Sequence, residues 1–372
     1  MITRLEGYDL GHLYAIYCNR ADTIEALLAE NLRCIQLEEQ SVRILPCKKR
    51  FSLDYASYEN LLTCANHDVF EIHEDGRMFR CYSDKASDNV IFITGRCNSS
   101  CVMCPDSDTF RARAPIRSLD SLLAMIECIP SDVQHLTITG GEPFMLGKDF
   151  FSLLTRLRER FHNTEFLLLT NGRVLCLPEY CNELLRTMPP QTTIAIPIHG
   201  FDAQSHDAIT RAPGSFEQTI RGAKRLLSLG ARVELRIVVS KLSANYLESI
   251  ASLIISELSA TACVKFIALE MLGNAAKNEN SVWIPYSEGF KKSKAAIIEL
   301  VSHGIDVGLY NFPLCAVESE FWPICEKSIS DYKVRFASEC DRCYVKDACG
   351  GVFAGTRHLA FEDLQALERP SK

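Results

Sequence analysis

From residue 89 to residue 303, short apolar runs alternate with amphipathic stretches, and this rhythm leaves the chain few architectures. Residues 89–96 (NVIFITGR), 134–139 (QHLTIT), 165–170 (EFLLLT), 192–198 (TTIAIPI), 232–239 and 263–269 read as strands. Residues 118–129, 148–161, 178–187, 215–228, 246–258 and 287–303 carry helical periodicity, with Ser118 placed to cap the first. Six strand–helix units with apolar strands predict an α/β fold around a parallel sheet buried on both faces, open or closed into a partial barrel. In either form the ligand-binding loops follow the C-terminal ends of the strands.

The flanks break the rhythm. Residues 1–88 mix short apolar runs with polar punctuation and are expected to form a small N-terminal accessory domain, α+β or mostly β. Residues 89–303 form the central unit, and residues 304–372 a third region rich in cysteine and poor in helix signal. The formal net charge is −7 with no dense Lys/Arg run, so there is no electrostatic footprint for nucleic acid. No uncharged apolar run is long enough to span a membrane. The N-terminal stretch MITRLEGYDL lacks a basic segment followed by an apolar one, so no secretory signal is expected and the chain reads as cytoplasmic. There its 17 cysteines stay reduced and favour metal binding or catalysis over disulfides. Cys18, Cys34, Cys128, Cys176, Cys181 and Cys263, being isolated, read as small buried hydrophobes, and so do Cys47, Cys64 and Cys81.

Cys97, Cys101 and Cys104 make a C-x3-C-x2-C stretch directly after the first strand. On a loop, three thiolates can face one centre, and three ligands on a four-iron cluster leave one iron free to chelate a small molecule. Zinc sites more often pair two C-x2-C units or combine Cys with His.

With that triad in place, the chain resembles the radical SAM superfamily, whose signature is this spacing after the first strand of a partial (β/α)6 barrel. The resemblance implies a [4Fe-4S] cluster, S-adenosylmethionine (SAM) on its open iron, and one-electron cleavage of SAM to a 5′-deoxyadenosyl radical. Met103 stands where the family commonly has an aromatic residue. Gly140-Gly141-Glu142-Pro143 resembles the motif that binds the SAM amino group. Its two glycines are expected to approach a ligand at φ values other residues resist, and its carboxylate to accept from an ammonium. Thr170-Asn171-Gly172 resembles the family's TNG, although a plain turn explains it nearly as well. Pro197-Ile198-His199-Gly200, His206-Asp207 and Arg211 to Phe216 resemble motifs of peptide-modifying members, with His199 in place of an Asp near the SAM ribose. His199 can face SAM, face substrate or be structural; Arg211 can pair the SAM carboxylate or flank a helix. The segment from Glu270 to Ala275 resembles the one near the adenine edge.

Cys340, Cys343 and Cys349 form C-x2-C-x5-C followed by Gly350-Gly351. This resembles the SPASM and twitch domains of radical SAM peptide maturases, with Phe353 where the longer pattern has another Cys. The resemblance implies a twitch-like region with one auxiliary [4Fe-4S] cluster, its fourth ligand Cys315 in preference to Cys325. Structural zinc is the alternative. The ensemble, with Asn311 to Cys315 and Ser328-Ile329-Ser330-Asp331-Tyr332-Lys333, is most similar to the His-Xaa-Ser system maturases. That implies a peptide or small-protein substrate, a reduced flavodoxin- or ferredoxin-type donor, action with or without a partner maturase, and leader recognition by strand addition to the N-terminal region. The rival readings are a small-molecule enzyme of the molybdenum-cofactor type and a non-catalytic iron–sulfur or zinc binding protein.

Overall fold

The computed structural model describes residues 3–330 and 332–369; Met1, Ile2 and Asp331, used in the readings above, lie outside them. The N-terminal region is a closed barrel. Its strands are β1 (Thr3–Glu6), β2 (Leu13–Tyr17), β3 (Cys34–Glu38), β4 (Ser41–Leu45), β5 (Lys49–Leu53), β6 (Val69–Ile72) and β7 (Arg77–Tyr82), in the order β1-β5-β4-β3-β2-β6-β7. β2 and β3 pair in parallel across helix α1 (Ala21–Ala29), and the other contacts are antiparallel. Helix α2 (Tyr55–Leu62) starts on Asp54, whose carboxylate accepts from Ser57 N at 2.7 Å. Leu5, Ala15, Ile35, Val42, Ile44, Phe70, Ile72 and Met78 fill the interior. Closure pairs β1 with both β5 and β7, so this sheet offers no free edge. Strand addition, expected for leader recognition, is therefore unavailable to it.

The second sheet has eight parallel strands in sequential order: β8 (Val90–Phe92), β9 (His135–Thr139), β10 (Glu165–Leu169), β11 (Thr192–Pro197), β12 (Arg232–Val239), β13 (Cys263–Ala268), β14 (Val307–Tyr310) and β15 (Cys325–Glu326). It runs past residue 303, so Cys325 belongs to it. The connecting helices are α3 (Asp108–Arg113), α4 (Leu119–Cys128), α5 (Asp149–Arg160), α6 (Pro178–Thr187), α7 (Ala203–Thr210), α8 (Ser215–Ser228), α9 (Leu247–Glu257), α10 (Gly273–Lys277), α11 (Glu279–Val282) and α12 (Tyr286–Ser302). Ser118 caps α4, accepting from Ser121 N at 3.2 Å.

Burial alternates along most of these strands, with Ala195 on β11 and Glu234 on β12 as buried exceptions. Leu136, Ile138, Phe166, Leu168, Ile194, Ile196, Leu235, Ile237, Val264, Phe266 and Leu309 are fully buried in the helix-side core. Each such side chain contributes on the order of 2 kcal/mol of transfer free energy. Their neighbours Thr137, Thr139, Leu167, Leu169, Arg236, Lys265 and Tyr310 stay partly exposed. The expected burial on both faces is thus corrected. The sheet curls, so its second face looks across a lumen rather than onto a second helical layer. Helix α4 joins the two sheets: Leu122, Met125 and Ile126 share a core with Tyr14, Ile16, Val69 and Tyr82 of the small barrel.

Candidate active site

The three-cysteine loop leaves the end of β8 and is held by side chains from four other segments. The Arg111 guanidinium on α3 donates to Ser99 O at 2.7 Å, Ser100 Oγ at 2.9 Å and Asp108 Oδ1 at 2.6 Å. Asn274 on α10 donates through Nδ2 to Cys101 O at 3.2 Å and Asp108 Oδ1 at 2.9 Å, and its backbone N–H to Cys104 O at 2.9 Å. Asn278 donates to Val102 O at 2.9 Å. Arg173 donates to Asn98 O and to Ser99 Oγ. Thr210 O and Ile209 O accept from Ser100 N and Val102 N, each at 2.9 Å. Asn274, in the segment that resembles the one near the adenine edge, bonds the cysteine loop. Arg111, Asp108 and Arg173 escaped the sequence reading, since lone charged residues on helices and turns carry no pattern. Val102 and Met103 pack with Ile209, Leu269 and Met271 beneath the loop.

Burial raises all three thiols, and Cys101, further raised by Cys104 and Cys97, reaches about 12. Asn171 ties the loop to the third unit: its Nδ2 donates to Asn98 Oδ1 at 2.6 Å and lies 3.9 Å from Cys97 Sγ.

Glu142 follows β9 and is 1% exposed. Its Oε1 accepts from Thr170 Oγ1 at 2.8 Å and Phe144 N at 3.2 Å, and its Oε2 from Asn171 N at 2.8 Å. Pro143 opens the turn that presents Phe144 N. Burial pushes the carboxyl pKa up; three hydrogen bonds and the more distant Arg173 oppose this. Among the described residues no cation forms an ion pair with it. A buried carboxylate with acceptor capacity to spare and no protein cation suits an incoming ammonium. Gly140 and Gly141 are not in the left-handed region, contrary to expectation. Their role is steric: a Cβ on Gly140 would lie 2.4 Å from Thr94 O, and one on Gly141 2.4 Å from Arg96 O and 2.6 Å from Gly95 O. They let the end of β9 lie against the strand leading to Cys97. Gly172 does adopt a left-handed φ of 72°.

His199 follows β11 and is 6% exposed, with Nδ1 unpartnered in the protein. Its ring lies 5.4 Å from that of His206, whose Nδ1 accepts from His199 N at 3.3 Å. Burial lowers both imidazoles: His199, next to His206, to about 3 and His206 to about 4. Arg211 ends α7 at a φ of 50°, exposed beside a groove that Val102 and Asn278 also line.

Cys315, Cys340, Cys343 and Cys349 line one small cavity, with Leu364 and Gln365 across it. Leu314 N and Gly351 N each point at Cys349 Sγ at 3.4 Å, and Leu367 N points at Cys343 Sγ at 3.4 Å. Such amide-to-sulfur donation suits thiolates on an iron–sulfur cluster. Cys325 does not line the cavity; its Sγ turns to Phe321 O at 3.6 Å. Among the described residues no three His, Cys, Asp or Glu converge on a single-ion position. The thiolates of one zinc ion would lie only about 3.8 Å apart.

Residues 91–254 match the family model described as Radical SAM superfamily. The AdoMet-dependent heme synthase of Nitratidesulfovibrio vulgaris is 29% identical over 150 residues, 40% of this chain and 39% of that protein. The GTP 3′,8-cyclase of Ectopseudomonas mendocina is 39% identical over 85 residues, 22% of this chain and 25% of that protein. The chain thus spans well under half the length of these two relatives. Among solved structures, anSMEcpe with bound AdoMet has a TM-score of 0.48 at 17% identity, covering 60% of this chain and 64% of that one. Streptococcus suis SuiB bound to precursor peptide SuiA has a TM-score of 0.47 at 12% identity, covering 61% and 49%. The family works with a [4Fe-4S] cluster and SAM, and the matched segment supplies a partly buried thiol trio beside a buried, unpaired carboxylate. Over residues 91–254 the chain is thus similar to the radical SAM superfamily.

Proposed function

We propose that this chain cleaves SAM reductively and uses the radical so formed to modify a ribosomally made peptide or small protein, as a His-Xaa-Ser system maturase would. The observation that carries the SAM assignment is the linked trio of Glu142, Asn171 and Cys97: a carboxylate without a protein cation, joined through one asparagine to the thiol loop. A bound, reduced cluster would supply the one electron with which SAM is cleaved to methionine and the 5′-deoxyadenosyl radical. Cys97, Cys101 and Cys104 would hold that cluster. Glu142, held by Thr170 and set beside the cysteine loop by the close approach at Gly140 and Gly141, accepts from the SAM ammonium, with Pro143 opening the turn that follows. Asn171 orients the loop, and His199, neutral and with a free Nδ1, accepts a hydrogen bond from SAM or substrate. Arg211, at the exposed rim, pairs the SAM carboxylate or flanks α7.

The peptide assignment rests on the second cysteine group. Cys315, Cys340, Cys343 and Cys349 would hold an auxiliary [4Fe-4S] cluster, with Cys315 as fourth ligand because it lines the cavity and Cys325 does not. A reduced flavodoxin or ferredoxin supplies electrons, and a partner maturase is compatible with the exposed groove beside Val102. The likeness to GTP 3′,8-cyclase supports a second reading, in which the substrate is a small molecule.

Anaerobic reconstitution with iron, sulfide, dithionite and SAM tests the reading. Two four-iron clusters require about eight irons, and 5′-deoxyadenosine must appear. Ala at Cys97, Cys101 or Cys104 should abolish that product; Ala at Cys340 should lower the iron content and leave SAM cleavage measurable. Zinc without 5′-deoxyadenosine would sink the catalytic reading. GTP-dependent consumption of SAM would favour the second.

A further inference from the structure

The concave face of the eight-stranded sheet carries an ionic cluster that the SAM site does not use. Arg236 on β12 and Lys265 on β13 stand opposite each other in register, and Lys265 stands opposite Gly308 on β14. The alternate residues of these strands, Ile237, Phe266 and Leu309, are fully buried in the helix-side core, so Arg236 and Lys265 look into the lumen. Both cations flank one aromatic ring: the Arg236 guanidinium carbon lies 5.8 Å, and Lys265 Nζ 5.2 Å, from the centre of Tyr310.

Two like charges on adjacent strands repel in a poorly solvated lumen, and each is held by one carboxylate. The two carboxylates differ in kind. Glu234 lies on the same strand as Arg236, is 7% exposed at its side chain, and accepts from Arg236 Nε at 2.6 Å. Glu326 comes from the two-residue edge strand β15, is 44% exposed at its side chain, and meets Lys265 Nζ at 2.5 Å. The Glu326–Lys265 pair lies across Gly308, where an added Cβ would sit 2.5 Å from Glu326 Oε1 and 2.7 Å from Lys265 Nζ. The missing side chain at Gly308 makes the cradle in which a carboxylate rests.

We infer that Arg236, Lys265, Tyr310 and Gly308 form a binding subsite for a substrate carboxylate, and that Glu326 fills it until substrate arrives. Glu234 is fixed and neutralises the arginine. Glu326 is exchangeable: its backbone is an edge and its side chain is half in solvent. When Glu326 swings out, the lumen presents a lysine and a guanidinium over an aromatic wall, which suits a planar carboxylate and does not suit a cation. The subsite deepens the peptide reading, on which it rests, by naming an acidic side chain or a chain-terminal carboxylate as the group that is held.

Two blocked amino acids separate these sources. N-acetyl-glutamate N-methylamide carries only a side-chain carboxylate, and N-acetyl-alanine only a terminal one. Their binding to the reconstituted, SAM-loaded protein is measured by calorimetry for the parent, Glu326→Gln and Lys265→Met. Removing the internal competitor should tighten at least one probe about fivefold in Glu326→Gln. Lys265→Met should weaken the same probe by about tenfold or more. The probe that responds names the source. Iron content and 5′-deoxyadenosine formation, followed in the same samples, report on folding and on the SAM reading independently. If SAM is cleaved and both variants bind both probes as the parent does, the subsite is overturned while the SAM reading stands. Weaker binding in Glu326→Gln, which would make Glu326 a partner of the ligand, also overturns it.

Discussion

His199 and His206 show what burial does to single residues here. Both imidazoles are neutral in the fold, depressed to about 3 and about 4. In the unfolded chain each titrates near about 6.5. As pH falls below that value the unfolded state takes up protons and the folded state does not, so the equilibrium moves toward unfolding. The stability tied to the pair is complete above about 6.5 and is lost as pH falls toward 4. Two groups over one and a half pH units give a loss of about 2 to 4 kcal/mol between pH 6.5 and pH 5. Urea unfolding at the two pH values should show this loss, and a His199→Asn/His206→Gln double variant should remove most of it. An undiminished acid loss in the double variant would place its cause elsewhere. The sequence marked His199 by its motif position, but an unpartnered Nδ1 is a fact of packing that no local pattern carries.

At the scale of elements, the contact that organises the site is between the end of β9 and the strand leading to Cys97. Alanine at Gly141 would place a Cβ against two backbone carbonyls, which cannot rotate away. The strain must move either the cysteine loop or the Glu142 turn, and forcing extra volume into such a contact costs about 1 to 3 kcal/mol. Gly141→Ala should therefore lower the unfolding midpoint and slow iron uptake on reconstitution. Gly147→Ala is the control for strain without contact, since that glycine has a φ of 68° and open space around its Cβ position; it should lose stability alone. Iron uptake equal to the parent's in Gly141→Ala would show that the contact does not shape the loop. The six strand–helix units and the strand-end positions of Cys97, Glu142, Asn171 and His199 were legible because apolar periodicity and turn chemistry are local. Periodicity alone left the sheet open or curled, and the partial barrel came from the resemblance, since a strand facing a lumen and one facing a helix layer differ only in partly polar positions such as Thr137, Arg236 and Lys265. The extra strands β14 and β15 are four and two residues long. Runs that short give no period to read.

At the scale of the whole molecule, the closed barrel and the large sheet are joined through one polar network as well as through α4. Arg117 donates to Glu71 Oε2 at 2.6 Å and Oε1 at 3.1 Å, and to Tyr14 Oη at 2.7 Å. His12 Nε2 meets Glu71 Oε1 at 2.9 Å, and Tyr14 Oη bonds Ser121 Oγ on α4 at 3.0 Å. Burial alone would raise the Glu71 carboxyl, but Arg117 and His12 outweigh it and hold it below the usual range. Its charged form thus stabilises the folded chain above about pH 4.3, and this contribution is lost as pH falls through the depressed value. Arg117→Met removes the arginine from a carboxylate that is 8% exposed at its side chain and leaves it His12 and Tyr14 as hydrogen-bond partners, a loss of up to about 3 kcal/mol. Adding Glu71→Gln removes that charge, so the double variant should be more stable than the single one. Both tryptophans, Trp283 and Trp322, lie outside the barrel, so tryptophan fluorescence follows the large sheet while far-ultraviolet dichroism follows both sheets. In the parent the two urea transitions should coincide. In Arg117→Met the dichroism should acquire an earlier phase that fluorescence does not see, as the barrel melts first. Coincident transitions in the single variant, at a midpoint equal to the parent's, would mean that α4 packing alone couples the two sheets.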